Sequence, residues 1–73
     1  MIYFTAYANQ KFDILQKHKV YIIKEQVQDI IATPDKVVKK NKHFYATKDN
    51  WRVIYQQQAE VIRIITFFPL KVN

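Results

Sequence analysis

Not one of the 73 residues of this chain is glycine. Glycine enters the left-handed backbone region without steric cost, so every reversal here has to rest on Asn, Asp or Pro. The same absence removes glycine-built phosphate loops, and with them the P-loop and dinucleotide-binding readings. The turn signals that remain are few: Pro34-Asp35, Asn41, and Lys48-Asp49-Asn50.

Between those signals the spacing of apolar residues assigns the elements. "MIYFT" is rich in strand formers and predicts an edge strand over 2–5. Ala8, Phe12 and Leu15 recur at helical spacing, which predicts a helix over 6–18. A connector carrying Val20 and Ile22 tucks under the domain, and Ile23, Val27, Ile30 and Ile31 form one face of a second helix. Pro34 ends that helix, because the residue before a proline avoids the helical region. So short a link makes the two helices an antiparallel pair.

After Pro34 the period falls to two. "KVVKK" (36–40), "KHFYATK" (42–48), "WRVIYQ" (51–56) and "EVIRIITFF" (60–68) read as four strands. In the second of them Phe44 and Ala46 face one way and His43, Tyr45 and Thr47 the other. Phe67 and Phe68 likewise take opposite faces, so an exposed "ITFFP" is a candidate surface for a homodimer. The order β-α-α-β-β-β-β describes one α+β domain, with two N-terminal helices on one face of an antiparallel sheet.

Twelve Lys and Arg stand against six Asp and Glu, a net charge of +6. That excess favours a polyanionic partner such as nucleic acid. Lys36, Lys39, Lys40, Lys42 and Lys48 crowd one stretch; an acidic protein is the other partner such a patch suits, and a solvated surface is the ordinary explanation. Cysteine is absent, and His18 and His43 are not at ligand spacing, so neither a metal nor a cofactor is expected. No basic-then-apolar leader and no apolar run of membrane length is present, which leads to the expectation of a cytoplasmic protein away from the membrane.

Two arginines interrupt the apolar strands. A two-residue turn at Gln57–Gln58 pairs Gln56 with Ala59 and sets Arg52 opposite Arg63 on the face away from the helices. A slip by one residue puts Arg63 among Trp51, Val53 and Tyr55, a costly burial of charge. Two forked guanidinium groups on neighbouring strands suit a phosphate between them. The alternative is that each lies flat along the sheet, past Ile54 and Ile65, with its head in water.

"WRVIYQQQAEVIRIITFFPLK" resembles the end of the RelE/ParE toxin superfamily, in which an aromatic-Arg-aliphatic-aliphatic-Tyr strand is followed by a polar turn, an apolar strand and a short tail. With "YANQK" (7–11), "VQDIIATPDKV" (27–37) and "IITFFPLK" (64–71), the whole chain is closer still to a small RelE-like family of unknown function. The resemblance implies a RelE-like fold, two helices on a curved antiparallel sheet. It also implies a toxin of a type II toxin–antitoxin pair, neutralised by an acidic antitoxin that wraps it. RelE members cut mRNA on the ribosome, whereas ParE members grip gyrase. Arg52 matches the arginine that holds the scissile phosphate, His43 and Tyr45 stand where further contributing residues occur, and Lys71 is the charged residue of the tail.

Such an endoribonuclease needs no metal. The RNA 2′-OH attacks the adjacent phosphate while the protein moves two protons and stabilises the phosphorane. Histidine is the side-chain type suited to proton transfer near neutral pH, so His43 is a candidate acid or base, and equally a plain strand residue in a basic patch. Tyr45 is a candidate phosphate donor or base-stacking platform. Arg52 and Arg63 would clamp the phosphate, with Lys39, Lys40, Lys42, Lys48 and Lys71 adding charge. The same fold without the chemistry would be an inactive or ParE-like binding module that grips RNA or a protein.

Overall fold

The computed structural model describes residues 1–70. Along the chain run β1 (Ile2–Phe4), α1 (Ala6–Lys17), α2 (Lys24–Ala32), β2 (Lys36–Lys40), β3 (His43–Lys48), β4 (Trp51–Gln58) and β5 (Val61–Pro69). The α+β class and the element order are as expected. The five strands form one sheet in the order β1-β5-β4-β3-β2. β2 to β5 are antiparallel neighbours, while β1 lies parallel to β5, so the sheet is mixed.

Capping fixes where each helix begins and ends. Thr5 Oγ1 accepts from the Ala8 amide at 3.1 Å and donates to the Ile64 carbonyl at 2.9 Å. One side chain thus starts α1 and ties it to β5. At the other end Lys19 takes the left-handed conformation (φ 61°). Its amide donates to the Gln16 carbonyl and the Val20 amide to the Leu15 carbonyl, each at 2.9 Å. This is a Schellman closure with lysine where glycine is usual. α2 begins at Ile23, whose side chain cannot cap, and Gln26 Oε1 accepts from the Ile23 amide instead (3.0 Å).

The hairpin turns solve the glycine problem as anticipated at two places and differently at a third. Asn41 (φ 59°) opens the β2–β3 turn, and Asp49 and Asn50 (φ 53° and 67°) form the β3–β4 turn. The β4–β5 turn is Ala59–Glu60, with Ala59 left-handed at φ 55°, rather than Gln57–Gln58. The glutamines stay in β4 because that register sets Tyr55 opposite Ile64 beneath the helices. A turn two residues earlier would have set Tyr55 opposite Glu60 and drawn a carboxylate toward the core.

A bulge at Ile54/Tyr55 changes the pattern again. Ile54 pairs with Thr66 and Tyr55 with Ile64, which leaves Ile65 as the extra residue. Phe67 therefore shares the helix-covered face with Ile64, whereas unbroken alternation along β5 would put it on the face of Arg63. Ala46, Val53, Tyr55, Ile64 and Phe67 of the sheet meet Ala8, Leu15, Val27 and Ile30 of the helices and Ile22 of the connector. α1 lies over β5, and α2 over β3 and β4. In so small a core each large side chain contributes about 1.5–3 kcal/mol, so the single-layer helix cover leaves the sheet's other surface open.

Candidate functional site

The open surface is built from alternate strand residues, and register sorts them into three rows across the sheet. The first row is Lys36, Thr47, Arg52 and Phe68; the second is Val38, Tyr45, Ile54 and Thr66. In the third, Lys40 pairs with His43, His43 meets Gln56, and Gln56 pairs with Arg63, beside Tyr3 of β1. Successive rows are about 7 Å apart along the strands. None of the five strands carries an acidic residue; all six carboxylates lie in the helices and the turns.

Lys36, Val38, Lys40, Tyr45, Thr47 and Arg52 line a groove of about 250 Å³ that runs across the first two rows to Lys40 of the third. Arg52 is partly buried by its neighbours, and its Nε donates a long bond to Thr47 Oγ1 (3.5 Å). Its terminal amino groups find no protein acceptor among the described residues, where the only ion pair joins Lys48 to Asp29. A positively charged fork is thus held at its stem with its prongs unsatisfied, which is the arrangement that accepts an oxyanion.

Several expected members of the site lie elsewhere. Arg63 faces the same side as Arg52 but pairs with Gln56, while Arg52 pairs with Phe68. Two rows, or about 13 Å of strand, separate the guanidinium groups, so the expected two-arginine clamp is not formed. Its premise was the early turn, which the burial of Tyr55 overrides. Arg63 instead lies 5.9 Å from the ring centre of Tyr3. His43 is in the third row, its Nε2 3.4 Å from the Gln56 amide, away from Arg52; Tyr45 is the closer titratable neighbour of the Arg52 row.

The lysines divide similarly. Lys40 belongs to the open groove, and Lys36 joins it. Lys48 does not: strand alternation turns it toward α2, where Nζ meets Asp29 Oδ2 at 2.8 Å and Thr33 Oγ1 at 2.7 Å. That bond to Asp29 holds its pKa above the ordinary 10.5. Lys39 points to the helix-side surface, 5.4 Å from the Phe44 ring centre, and Lys42 sits in the β2–β3 turn. Lys71 lies outside the described residues. Lys36, counted only in the lysine-rich stretch, and Thr47 are groove members that were not among the expected site residues. Both follow from period two once the Arg52 strand is placed.

Among the described residues no His, Asp and Glu cluster could hold a metal ion, and no helix is long and apolar enough to cross a membrane. Comparison with protein-family models, with curated proteins and with solved structures found no match for this chain.

Proposed function

We propose that the open sheet face binds RNA at Arg52 and that the protein is a RelE-like toxin cutting mRNA through the RNA's own 2′-OH. The observation that carries this reading is the Arg52 groove: a guanidinium between lysines and a tyrosine that, among the described residues, has no carboxylate partner, on a face whose strands carry no acidic side chain. Arg52 holds the non-bridging phosphate oxygens, Lys36 and Lys40 supply attraction for the flanking backbone, and Tyr45 donates to the phosphate or stacks on a base. An acidic antitoxin would cover this face by the same charge complementarity, and the setting is cytoplasmic.

Induced expression tests it. Expression should arrest growth, and cellular mRNA should acquire cuts ending in a 2′,3′-cyclic phosphate. Arg52→Ala should remove both while leaving the circular-dichroism spectrum intact. Uncut mRNA during full arrest would exclude the cleavage step.

A second reading is favoured by one distance. His43, the residue best suited to proton transfer near neutral pH, is about 13 Å of strand from the Arg52 row, beyond one phosphodiester. With Tyr45 as the nearer group, the same face serves as a binding module without cleavage. Growth arrest that survives Arg52→Ala would favour that module.

A further inference from the structure

The tips of the β2–β3 and β4–β5 hairpins enclose a second groove, of about 410 Å³. Lys39, Lys42, Arg63, Gln57, Gln58 and Phe44 are among the residues that line it, and none of its lining residues is acidic. Its volume falls within the roughly 300–1,000 Å³ of small-ligand pockets, whereas the Arg52 groove is smaller than that. Gln57 and Gln58 spend their amides on no protein partner among the described residues. Phe44 belongs to the helix side of β3, stacked on Tyr55 with ring centres 5.2 Å apart and with the Lys39 ammonium 5.4 Å from its ring centre, so it bounds the groove on that side while Arg63 bounds it on the open side.

We infer that this groove is a nucleotide subsite, resting on the proposed reading of the open face as an RNA track. Arg63 and Lys42 provide charge for a phosphate. The side-chain amide of a glutamine can donate to and accept from a base edge. Arg52 and Arg63 project from the same face about 13 Å apart along β4, a span an extended single strand crosses in about two nucleotides. A strand whose phosphate rests on Arg52 therefore delivers a neighbouring nucleotide to the hairpin tips. The glutamine run, which has no role in the core, becomes the part of the protein that reads sequence.

The test is the affinity of the purified full chain for fluorescent oligoribonucleotides two and five nucleotides long, at fixed low salt. The five-mer should bind about tenfold more tightly per molecule than the two-mer. Arg63→Ala with Gln57→Ala and Gln58→Ala should bring that ratio close to one. Arg63 and both glutamines are exposed, so the triple variant should fold, and its thermal transition checks this. Arg52→Ala should weaken both lengths in parallel and keep the ratio. A ratio that persists in the triple variant overturns the subsite while leaving the Arg52 face standing. Binding of both lengths that ignores Arg52→Ala overturns the RNA track and the subsite with it.

Discussion

The two faces of this sheet come from the same strands and obey opposite rules. On the helix-covered face Ala46, Val53, Ile64 and Phe67 have no solvent exposure at all, and every position is specified by volume. On the open face Tyr45, Ile54, Thr66 and Phe68 are only partly covered, and Lys36, Lys40, Arg52 and Arg63 stand among them without a carboxylate. A face that served only to stay wet would mix both signs of charge. One that carries a single sign, with half-buried aromatics between, is the kind of face the proposed polyanionic partner would fit. The adjacent phenylalanines sample both regimes, since Phe67 is enclosed and Phe68 lies beside Arg52 in the first row.

That pair offers the largest contrast to break. Phe67→Ala empties the centre of the core, where the ring of Phe12 lies 4.7 Å away, and should cost about 3–5 kcal/mol, enough to unfold a domain of this size. Phe68→Ala should cost about 1 kcal/mol and leave a cooperative urea transition. Equal losses at the two positions would show that the open face is also a core, covered by something in the folded chain.

A smaller effect tests how the helix layer is fixed to the sheet. Thr5 caps α1 and donates to β5 in the same gesture, so Thr5→Ala should lose about 1–2 kcal/mol. Thr5→Ser should restore most of it, since the hydroxyl makes both bonds. Failure of serine to rescue would mean that the threonine methyl, rather than the cap, matters there.

Smaller again, and opposite in sign, is the effect of returning glycine to the chain. Ala59 and Lys19 occupy left-handed backbone that a Cβ disfavours by about 1–2 kcal/mol. Part of the gain is offset by the greater freedom of glycine in the unfolded chain. Ala59→Gly should therefore stabilise by about 0.5–1 kcal/mol, and Lys19→Gly by a similar amount, read as raised urea midpoints. Because Ala59 lies at the tip of β4–β5, the first substitution also asks whether the second groove tolerates a looser turn.

These positions mark where the sequence stops being legible. The elements could be read because period and punctuation agree: helical spacing before Pro34, alternation after it, Asn and Asp at two turns. Ala59 gave no signal, since alanine has no preference for a turn; only the burial of Tyr55 against Ile64 puts the reversal there. The bulge at Ile54/Tyr55 was equally silent, and it alone moves Phe67 to the helix side. Errors in the site descend from those two facts. Counting forward from a turn at Gln57–Gln58 placed the arginines side by side, and counting lysines by proximity in sequence enlisted Lys48, whose alternation with Ala46 already turned it toward α2. Arg52 and Tyr45 share the open face as expected, because both sit on the straight part of the β3–β4 pair, where period two holds without interruption.

The smallest effect probes the covered face by pH. Burial alone pushes the Tyr55 phenol above its ordinary 10.0, and the Asp29 bond raises Lys48 above 10.5. Both groups hold their proton more tightly in the folded chain than in the unfolded one. Their contribution is therefore fully present below the ordinary values and is lost as pH climbs through the raised ones. These two groups should leave stability unchanged below their ordinary values and lower it as pH rises beyond them. Tyr55→Phe keeps the ring on Phe44 and should make that fall shallower, with little change at neutral pH. An identical slope in wild type and Tyr55→Phe would assign the whole alkaline loss to lysines, and would place the Tyr55 hydroxyl in water rather than at the edge of the core.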